Sequence, residues 1–391
     1  MKYNFDKVID RSGTSAEKVE GLKHIWGRTD LIPLWVADMD FATAPFVTDA
    51  IRKRCENEVL GYTGKPDSYY NAIINWVKQR YDLIVTKEVI NFVPGIVPGI
   101  GMAMNCFTQK GDKVMIQPPV YHPFAWVTTR NERTLVINPL KWENGMYRMD
   151  LDAFREQIKG CKLFILCNPH NPGGVVWTEA ELRAIADICY DEKVLVFSDE
   201  IHADLTLPPH THRPFATVSE KARMNSVTFM SPSKAFNMPG LSASHALIFN
   251  EDLRKRFRIY MDAGELDMRH VFAFLSVEAA YSHGTEWLDQ CLAYIQGNID
   301  FVDEFLKKHA PKIKAIRPEA SYLVWLDCRE LELSQKDLNE FFVDKAHLAL
   351  NDGEMFGKEG IGFMRLNVAS PRCIIEKAMK QLADAYQLYI K

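Results

Sequence analysis

Short β-rich runs alternate with helical patterns along most of this chain, and that alternation strongly restricts the folds it can adopt. The runs are apolar, and they are KVMIQ (113–117), TLVIN (134–138), KLFILC (162–167), VLVFS (194–198), SVTFM (226–230) and HALIF (245–249). Helical patterns lie between most of them, and the clearest begins with Thr178 and Glu181 in the spacing of a capping box. Such alternation is typical of βαβ units. We therefore predict an α/β fold with a mainly parallel sheet and helices on both faces.

The pattern changes in the last third of the chain. A long helical region (about residues 251–308) is followed by SYLVWLD, a helix, GFMRLN and a last helix opened by Ser370-Pro371, which indicates a smaller α+β domain. We predict a large domain at residues 46–285 and a small C-terminal domain at residues 286–391. No helix is recognised in the first forty residues, so the segment 1–45 is expected to complete the small domain or to bridge a neighbouring subunit.

Composition narrows the class of ligand. The formal net charge of the 391 residues is −4, with Lys and Arg dispersed, which disfavours nucleic acids and anionic membranes because both select concentrated positive charge. No stretch approaches the roughly 18 apolar residues of a membrane span. The eight cysteines show no C-x-x-C pair, which favours free thiols in a reducing compartment over disulfides or zinc. We expect a cytoplasmic protein with a small-molecule ligand.

A His-x-His motif, His210 and His212, stands in the proline-rich run PPHTHRPF. Two imidazoles can hold a metal ion, but a single pair in such a loop is more often found on the surface. We therefore expect both rings to be exposed and to bind no metal.

Polar residues follow three of the predicted strands at the point where each strand ends. KLFILC runs into residues 168–174 (NPHNPGG), VLVFS into residues 199–202 (DEIH), and SVTFM into residues 231–234 (SPSK). Taken singly, the first run would be interpreted as a turn, Asp199 as a helix N-cap and Lys234 as a surface lysine. Because ligands of open α/β sheets bind beyond the carboxyl ends of the strands, we expect an amide, a carboxylate and an amine to converge there.

Pyridoxal 5'-phosphate explains these three groups together. Its aldehyde requires an amine, which Lys234 supplies, and its pyridine nitrogen requires a carboxylate that keeps it protonated, which Asp199 supplies. Its phenolic oxygen requires a neutral donor, which Asn171 supplies. The sequence therefore predicts a pyridoxal-phosphate site in which Lys234 and Asp199 are catalytic.

The phosphate of this cofactor requires backbone N–H groups at the start of a helix. Residues 95–99 (GIVPG) form such a turn before the helical run GIGMAMNCF, and Ile96 and Val97 carry the N–H groups. Ser231 and Ser233 can add hydroxyl donors. We predict that these four residues bind the phosphate.

The same stretch has a dinucleotide-binding alternative. Gly99-x-Gly101 is a partial G-x-G, but Met104 stands where the third glycine belongs, and no strong strand is recognised before it. A partial motif of this kind is weak evidence.

Three further side chains are expected to face the cofactor or the substrate. Tyr121, in QPPVYHPF after the strand KVMIQ, is placed to stack on the ring and to take part in catalysis, although an ordinary half-buried aromatic is the simpler alternative. Ile201 is predicted to contact the cofactor. His202 is predicted to form a pocket wall on the substrate side.

The motifs N-P-x-N-P-G-G, S-D-E-I-H and S-x-S-K occur in this order along the chain. With them the chain resembles, over nearly its whole length, the fold-type I pyridoxal-phosphate enzymes of the aminotransferase class I/II group. Within that group it is similar to the C–S β-lyase branch, the MalY/PatB type often called cystathionine β-lyase. The runs that carry this similarity are WVADMDF (35–41), NPHNPGG (168–174), DEIHADL (199–205), SPSKAFNMPGL (231–241) and FMRLN (363–367).

The resemblance implies a homodimer with the active site at the subunit interface, where Tyr62 would reach the phosphate bound by the partner. Eight residues beyond Lys234, where aspartate-type aminotransferases carry a phosphate-binding arginine, this chain has Ser242, which fits the lyase branch. Arg365 has two interpretations, a structural pair with a neighbouring carboxylate or bidentate capture of the substrate α-carboxylate. The family pattern favours capture.

The function implied is α,β-elimination on a sulfur amino acid such as L-cystathionine, which gives pyruvate, ammonia and a thiol. Lys234 would remove the α-proton as the general base. Transamination is the nearest alternative, because it uses the same lysine. A regulatory protein that binds pyridoxal phosphate is a third alternative, although the complete set of catalytic residues counts against it.

Overall fold

The computed structural model describes residues 2–267 and 270–389. The strands are β1 Ile32–Pro33, β2 Ile90–Val93, β3 Lys113–Ile116, β4 Thr134–Ile137, β5 Lys141–Glu143, β6 Met146–Arg148, β7 Cys161–Cys167, β8 Leu195–Asp199, β9 Ser226–Met230, β10 Ser244–Leu247, β11 Lys314–Ile316, β12 Leu323–Asp327, β13 Leu348–Ala349, β14 Asn351–Asp352 and β15 Phe363–Asn367. The helices are α1 Glu17–Trp26, α2 Pro45–Cys55, α3 Asp67–Tyr81, α4 Ile96–Phe107, α5 Pro123–Arg130, α6 Leu151–Gln157, α7 Glu179–Asp191, α8 Glu220–Met224, α9 Glu251–Ala263, α10 Val271–His283, α11 Thr285–His309, α12 Gln335–Glu340 and α13 Arg372–Tyr389.

The large sheet has seven strands in the order β2-β10-β9-β8-β7-β3-β4. Its strands run parallel except β10, which is antiparallel to both of its neighbours. The six strands predicted from the apolar runs are confirmed. The expectation that no strong strand precedes Gly99 is wrong, because Ile90–Val93 pairs with β10 and all four of its residues are buried. Four apolar residues are too few for periodicity to separate a buried strand from a helical turn.

Side chains of the central strand β7 alternate between two cores, as the pleat requires. Leu163 and Ile165 pack in the core that includes residues of α4 and α9, whereas Phe164 and Leu166 pack in the core that includes residues of α7. Helices therefore cover both faces of the sheet, which confirms the predicted fold class. The predicted capping box is present at the start of α7, where Thr178 Oγ1 accepts the Glu181 N–H at 3.2 Å.

A second, four-stranded sheet has the order β11-β12-β15-β14, and its neighbouring strands are antiparallel. The N-terminal segment joins this half of the molecule, because β1 pairs in parallel with β13. It also contains the helix α1, which was not predicted from the sequence. The domain boundaries near residues 45 and 285 stay a prediction, and these positions coincide with the starts of α2 and α11. Within the described ranges, no helix combines the length and the apolar character that crossing a bilayer requires.

Candidate active site

A cavity of about 210 Å³ opens beyond the carboxyl ends of β7, β8 and β9. These strands are parallel neighbours, and their register places Cys167 opposite Asp199 and Asp199 opposite Phe229. The residues that follow each strand therefore meet at one edge of the sheet. Asn171, Asp199 and Lys234 all line the cavity, so the structure brings the amide, the carboxylate and the amine together.

The amine of Lys234 contacts residues 35–41, called the 35–41 segment below. Its Nζ donates a hydrogen bond of 2.5 Å to the carbonyl oxygen of Ala37. Burial lowers the pKa of Lys234 to about 8, and the positive charge of Arg365 adds to this effect against the carboxylates of Asp38 and Asp199. A substantial share of the amine is therefore neutral near pH 8, as a nucleophile or a general base must be.

Asp199 is a buried carboxylate with little compensating charge. Its Oδ1 accepts the N–H of Ile201 at 3.1 Å, and its side chain also faces the cavity. Burial raises the pKa of Asp199 to about 7, and neighbouring Glu200 raises it further, while the hydrogen bond from Ile201 opposes the shift. A cationic N–H donor in the cavity would stabilise the ionised form. The protonated pyridine nitrogen of pyridoxal phosphate is such a donor, so this residue fits the cofactor.

The first turn of α4 forms another part of the cavity wall. Its N-cap residue is Gly95, which has no side chain to bond the first N–H groups of the helix. Ile96 and Val97 line the cavity there, and Ser233 lies in the same wall. Free N–H groups and the positive end of the helix dipole suit a phosphate. The cradle predicted from the sequence is therefore compatible with the phosphate of this cofactor.

Arg365 lies behind Asn171 rather than in the cavity wall. Its Nη1 donates to Asn171 Oδ1 at 3.0 Å, and its Nη2 donates to Asn351 Oδ1 at 2.5 Å and to the Trp35 carbonyl oxygen at 3.1 Å. Its guanidinium stacks on the ring of Phe356. Burial lowers the pKa of Arg365 to about 10. Among the described residues no carboxylate forms an ion pair with Arg365, which favours its interpretation as a receptor for an anion over the structural alternative.

The three side chains predicted near the cofactor or the substrate line the cavity, and they are Tyr121, Ile201 and His202. Burial raises the pKa of Tyr121, so its hydroxyl stays protonated. Burial lowers the pKa of His202 to about 3, and the positive charges of Lys234 and Arg365 lower it further. His202 is therefore a neutral imidazole at physiological pH.

Two other predicted residues lie outside the cavity. Ser231 is buried, and its Oγ lies 2.8 Å from Ser233 Oγ and 2.7 Å from the Ala243 carbonyl oxygen. It thus holds Ser233 rather than facing the cavity. Tyr62 is fully exposed and does not line the cavity of its own chain.

The structure adds residues that sequence reasoning did not select. Ala37 contributes a carbonyl oxygen, which carries no side-chain signal. Asn351 holds Arg365 but stands in a two-residue strand without a recognisable motif. Cys167, the last residue of β7, lines the cavity and accepts the Asn171 N–H at its sulfur. Its position next to the NPHNPGG run was the one signal that could have drawn attention to it.

The expectation that His212 is exposed is wrong. Its side chain is buried, and its Nε2 lies 2.8 Å from Glu200 Oε2. The other carboxylate oxygen of Glu200 accepts from Ser198 Oγ and from the Phe215 N–H, each at 2.8 Å. A buried carboxylate requires such partners. The bond to Glu200 therefore explains why His212 is buried although its loop is rich in proline.

Comparison with known proteins places these observations in a family. The family model for aminotransferase class I and II matches residues 29–382. Cystathionine beta-lyase PatB of Bacillus subtilis is 38% identical to this chain, over 98% of this chain and 99% of that protein.

Two solved structures share the whole fold. The crystal structure of cystalysin from Treponema denticola, which contains pyridoxal 5'-phosphate, matches with a TM-score of 0.96 and 33% identity, over 100% of both chains. The pyridoxal-phosphate-bound C–S lyase from Staphylococcus hominis matches with a TM-score of 0.91 and 35% identity, over 99% of this chain and 98% of that chain. With a family model that spans most of its length and relatives of this similarity, the chain belongs to the aminotransferase class I and II family.

Proposed function

We propose that this protein is a pyridoxal-phosphate-dependent C–S β-lyase that cleaves L-cystathionine or a related cysteine S-conjugate. The observation that carries the proposal is the joint position of Lys234, Asp199 and Asn171 at one cavity with Arg365 behind them. Relatives named as a cystathionine beta-lyase and a C–S lyase align over nearly the whole chain, which supports this class of reaction over others on the same fold. For L-cystathionine the balance is substrate plus water to homocysteine, pyruvate and ammonia.

Each residue has a task that its surroundings suit. Lys234 holds the cofactor through its amine and, once the amine is free, removes the proton from the substrate α-carbon. Pyridoxal phosphate, when bound, supplies an electron sink for the negative charge that develops at that carbon. Asp199 keeps the pyridine nitrogen protonated, and Asn171 donates to the phenolic oxygen. The N-terminus of α4 and Ser233 bind the phosphate.

Arg365 receives the substrate α-carboxylate in this proposal. Its guanidinium is fixed by Asn171, Asn351 and the Trp35 carbonyl oxygen, so the side chain need not be ordered when the substrate binds. Neutral His202 lines the cavity without adding charge. A thiolate then leaves from the β-carbon, and a thiol with a pKa near 8.5 leaves as an anion without a strong acid.

Aminotransfer is the second candidate function, because the same base serves both reactions. The experiment that separates them supplies L-cystathionine to the holoenzyme without a keto acid. We expect pyruvate, ammonia and thiol in equal amounts, measured by lactate dehydrogenase coupling and thiol titration, and Lys234→Ala should abolish both turnover and the borohydride-reducible linkage to the cofactor. Product that forms only when a keto acid is added would establish the aminotransferase instead. A wild-type protein that binds the cofactor but converts L-cystathionine neither without nor with a keto acid would favour a regulatory role.

We also propose that the protein is a homodimer with shared active sites. Support comes from the segment around Tyr62, where Val59, Leu60 and Tyr62 are 71%, 57% and 109% exposed. Three exposed apolar side chains in one irregular segment are unusual on a monomer surface and typical of an interface.

A reducing compartment such as the cytoplasm is proposed as the site of action. All eight cysteines are free, and five of them are buried. Free thiols persist where the medium is reducing. Thiol titration of protein purified without reductant should recover free cysteine, whereas interchain disulfides through Cys55 or Cys373 would contradict the proposal.

A further inference from the structure

The backbone of the 35–41 segment forms part of the active site although the segment contains no helix or strand. Its Ala37 carbonyl oxygen accepts hydrogen bonds from Lys234 Nζ and, at 2.9 Å, from the hydroxyl of Tyr322. A strand is held by its ladder, whereas an irregular segment is held by the groups that bond its backbone and by the packing of its buried side chains, here Met39 and Phe41. What fixes the 35–41 segment therefore also fixes the acceptor of the catalytic amine.

Side chains from distant parts of the chain bond the backbone of this segment. Asn367 Nδ2 donates to the carbonyl oxygens of Val36 at 2.6 Å and Asp38 at 2.7 Å. On the other side, Asn237 Nδ2 donates to the carbonyl oxygens of Met39 at 3.0 Å and Phe41 at 2.7 Å. These bonds join the segment to the small sheet and to the loop after Lys234.

The segment is also tied to the N-terminal region by a cluster of charges, called the Lys18 cluster here. Lys18 Nζ lies 2.8 Å from Asp40 Oδ2 and 3.7 Å from Asp38 Oδ1. Arg11 contacts the same two carboxylates, Asp38 at 2.6 Å and Asp40 at 3.1 Å. Ser370 Oγ adds a hydrogen bond to Asp40. Two cations thus oppose two carboxylates, and the formal charges of the cluster cancel.

The burial of Lys18 is the unusual feature of this cluster. Its side chain is 0% exposed, in the helix α1 of a protein whose other lysines lie mostly at the surface. Lysine is rarely buried completely, and replacing a whole buried ion pair by apolar residues of similar volume is often neutral or stabilising. Stability alone is therefore a poor reason for a lysine here. A charged pair does supply direction, because it holds Asp38 and Asp40 in one arrangement.

We propose that the Lys18 cluster positions the 35–41 segment for catalysis, so that the Ala37 carbonyl oxygen stays at the amine of Lys234. Lys18 and Arg11 are positioning residues in this inference, because they act through Asp38 and Asp40 and do not line the cavity. The inference rests on the proposed function, since it assumes that Lys234 moves the α-proton. According to this proposal, Arg11 and Lys18 in the N-terminal region affect the rate of the reaction without contacting the cavity.

The test compares Lys18→Met and Arg11→Met with a matched control, Arg28→Met. Arg28 stands in the same N-terminal region and also bonds two carboxylates, Asp30 and Asp344, but it makes no hydrogen bond to the 35–41 segment. Two quantities are measured for each variant. One is the deuterium isotope effect on kcat with substrate labelled at the α-carbon, and the other is the rate at which apoenzyme captures added pyridoxal phosphate in a borohydride-reducible linkage.

We expect Lys18→Met to lower kcat by about 10-fold or more, on the scale of misplacing a catalytic group. The isotope effect should rise, because proton removal by a misplaced amine becomes more rate-limiting, and cofactor capture should slow by about 5-fold or more for the same reason. Arg11→Met should also raise the isotope effect and slow cofactor capture, but by less than Lys18→Met does, because Lys18 remains. Arg28→Met should leave both at wild-type values.

A lower kcat with an unchanged isotope effect and an unchanged capture rate would mean that the cluster only stabilises the fold, and would overturn the proposal. If Lys18→Met does not fold, Arg11→Met decides by the same two readouts. A second route is the double variant Lys18→Met/Asp40→Asn, which removes the buried charge of Lys18 together with the charge of its partner Asp40 and should still show the raised isotope effect. Failure of the proposed function is distinguishable, because it would appear in the wild type as absence of turnover.

Discussion

Burial shifts the protonation of Lys234 and Asp199 in opposite directions, and both shifts disfavour the charged form. The pKa of Lys234 falls to about 8 and that of Asp199 rises to about 7. Without the cofactor, each group thus bears a charge that its surroundings stabilise poorly. Bound pyridoxal phosphate would compensate both groups, because its protonated ring nitrogen would pair with the Asp199 carboxylate and its aldehyde would bind the neutral amine of Lys234.

The stability of cofactor-free protein should therefore depend on pH through Asp199. The ordinary pKa of 3.8 applies to the unfolded chain, so the folded protein holds this proton more tightly. Stability from this group is full below about pH 4 and is lost as the pH rises through about 7. Between about pH 5.5 and pH 8, wild type should lose about 2 kcal/mol of unfolding free energy relative to Asp199→Asn, at about 1.4 kcal/mol per pKa unit. Urea unfolding of both apoproteins measures this, and parallel pH profiles would contradict it.

Arg365→Lys should raise KM about 10- to 100-fold, although the positive charge is kept. One ammonium group cannot make two parallel hydrogen bonds to a carboxylate and also replace the bonds to Asn171 and Asn351, and bonds to charged groups contribute about 1.5–3 kcal/mol each. Steady-state kinetics with L-cystathionine gives the values. Arg329→Lys is the control, because Arg329 makes a bidentate pair with Asp327, whereas Arg365 bonds Asn171, which lines the cavity. Equal KM values for the two variants would show that Arg365 has a structural role and does not bind the substrate carboxylate.

Helix α4 is the element whose packing decides the position of the phosphate cradle. A Cβ atom added at Gly99 would lie 2.9 Å from Val93 Cγ2 and 3.2 Å from the ring of Phe229. The helix therefore lies directly on β2 and β9, at a distance that glycine alone permits. Ile96 and Val97, one turn earlier, are placed at the cavity by this contact.

Gly99→Ala should consequently weaken both the fold and the cradle. Overpacking costs about 1–3 kcal/mol, and the gain in helix propensity of about 1 kcal/mol offsets part of it, so we expect a net loss of up to about 2 kcal/mol. Urea unfolding and titration of apoenzyme with pyridoxal phosphate measure the two effects. The control is Gly101→Ala, whose added Cβ would meet a single side-chain atom, Val127 Cγ2, at 3.2 Å. Unchanged cofactor affinity in Gly99→Ala would show that this contact does not place the cradle.

Within a single chain, one predicted residue of the site, Tyr62, does not lie at the cavity. Tyr62 is fully exposed, whereas the cradle that it is predicted to serve lies in the cavity. The surrounding segment, residues 57–66, has no helix or strand and exposes Val59 and Leu60. Burying such a segment against a second copy would remove apolar area from water and would bring Tyr62 to the partner's phosphate.

Subunit complementation tests this arrangement. Lys234→Ala and Tyr62→Ala should each be strongly impaired alone. The mixture of the two should regain about one quarter of wild-type turnover, because about half of the dimers are mixed and each mixed dimer has one intact site of two. The mixture is made by unfolding and refolding the two variants together. Each variant refolded separately is the control. Activity no greater than the average of the two variants would rule out a shared site.

Local patterns in the chain were sufficient to identify six of the seven strands of the large sheet and the polar residues that follow three of them. Side-chain alternation, turn residues and capping boxes depend on neighbours within a few positions, so the sequence displays them directly. For this reason Lys234, Asp199 and Asn171 are recognisable from the residues that flank them. The strand β2 and the helix α1 were missed because four apolar residues and a weakly apolar N-terminal run carry little periodic signal.

Contacts between distant parts of the chain decided the rest. Ala37 and Lys234 are 197 residues apart, and Arg365 lies 194 residues from Asn171 and 330 from Trp35. Such pairs form only when whole layers pack, and their energy depends on burial that no single segment reveals. The same packing shifts the pKa values of Lys234 and Asp199 and buries Lys18. The identity of the proposed catalytic groups is therefore local information. Their protonation and alignment are properties of the folded molecule, because both arise from the exclusion of water by residues far away in the chain.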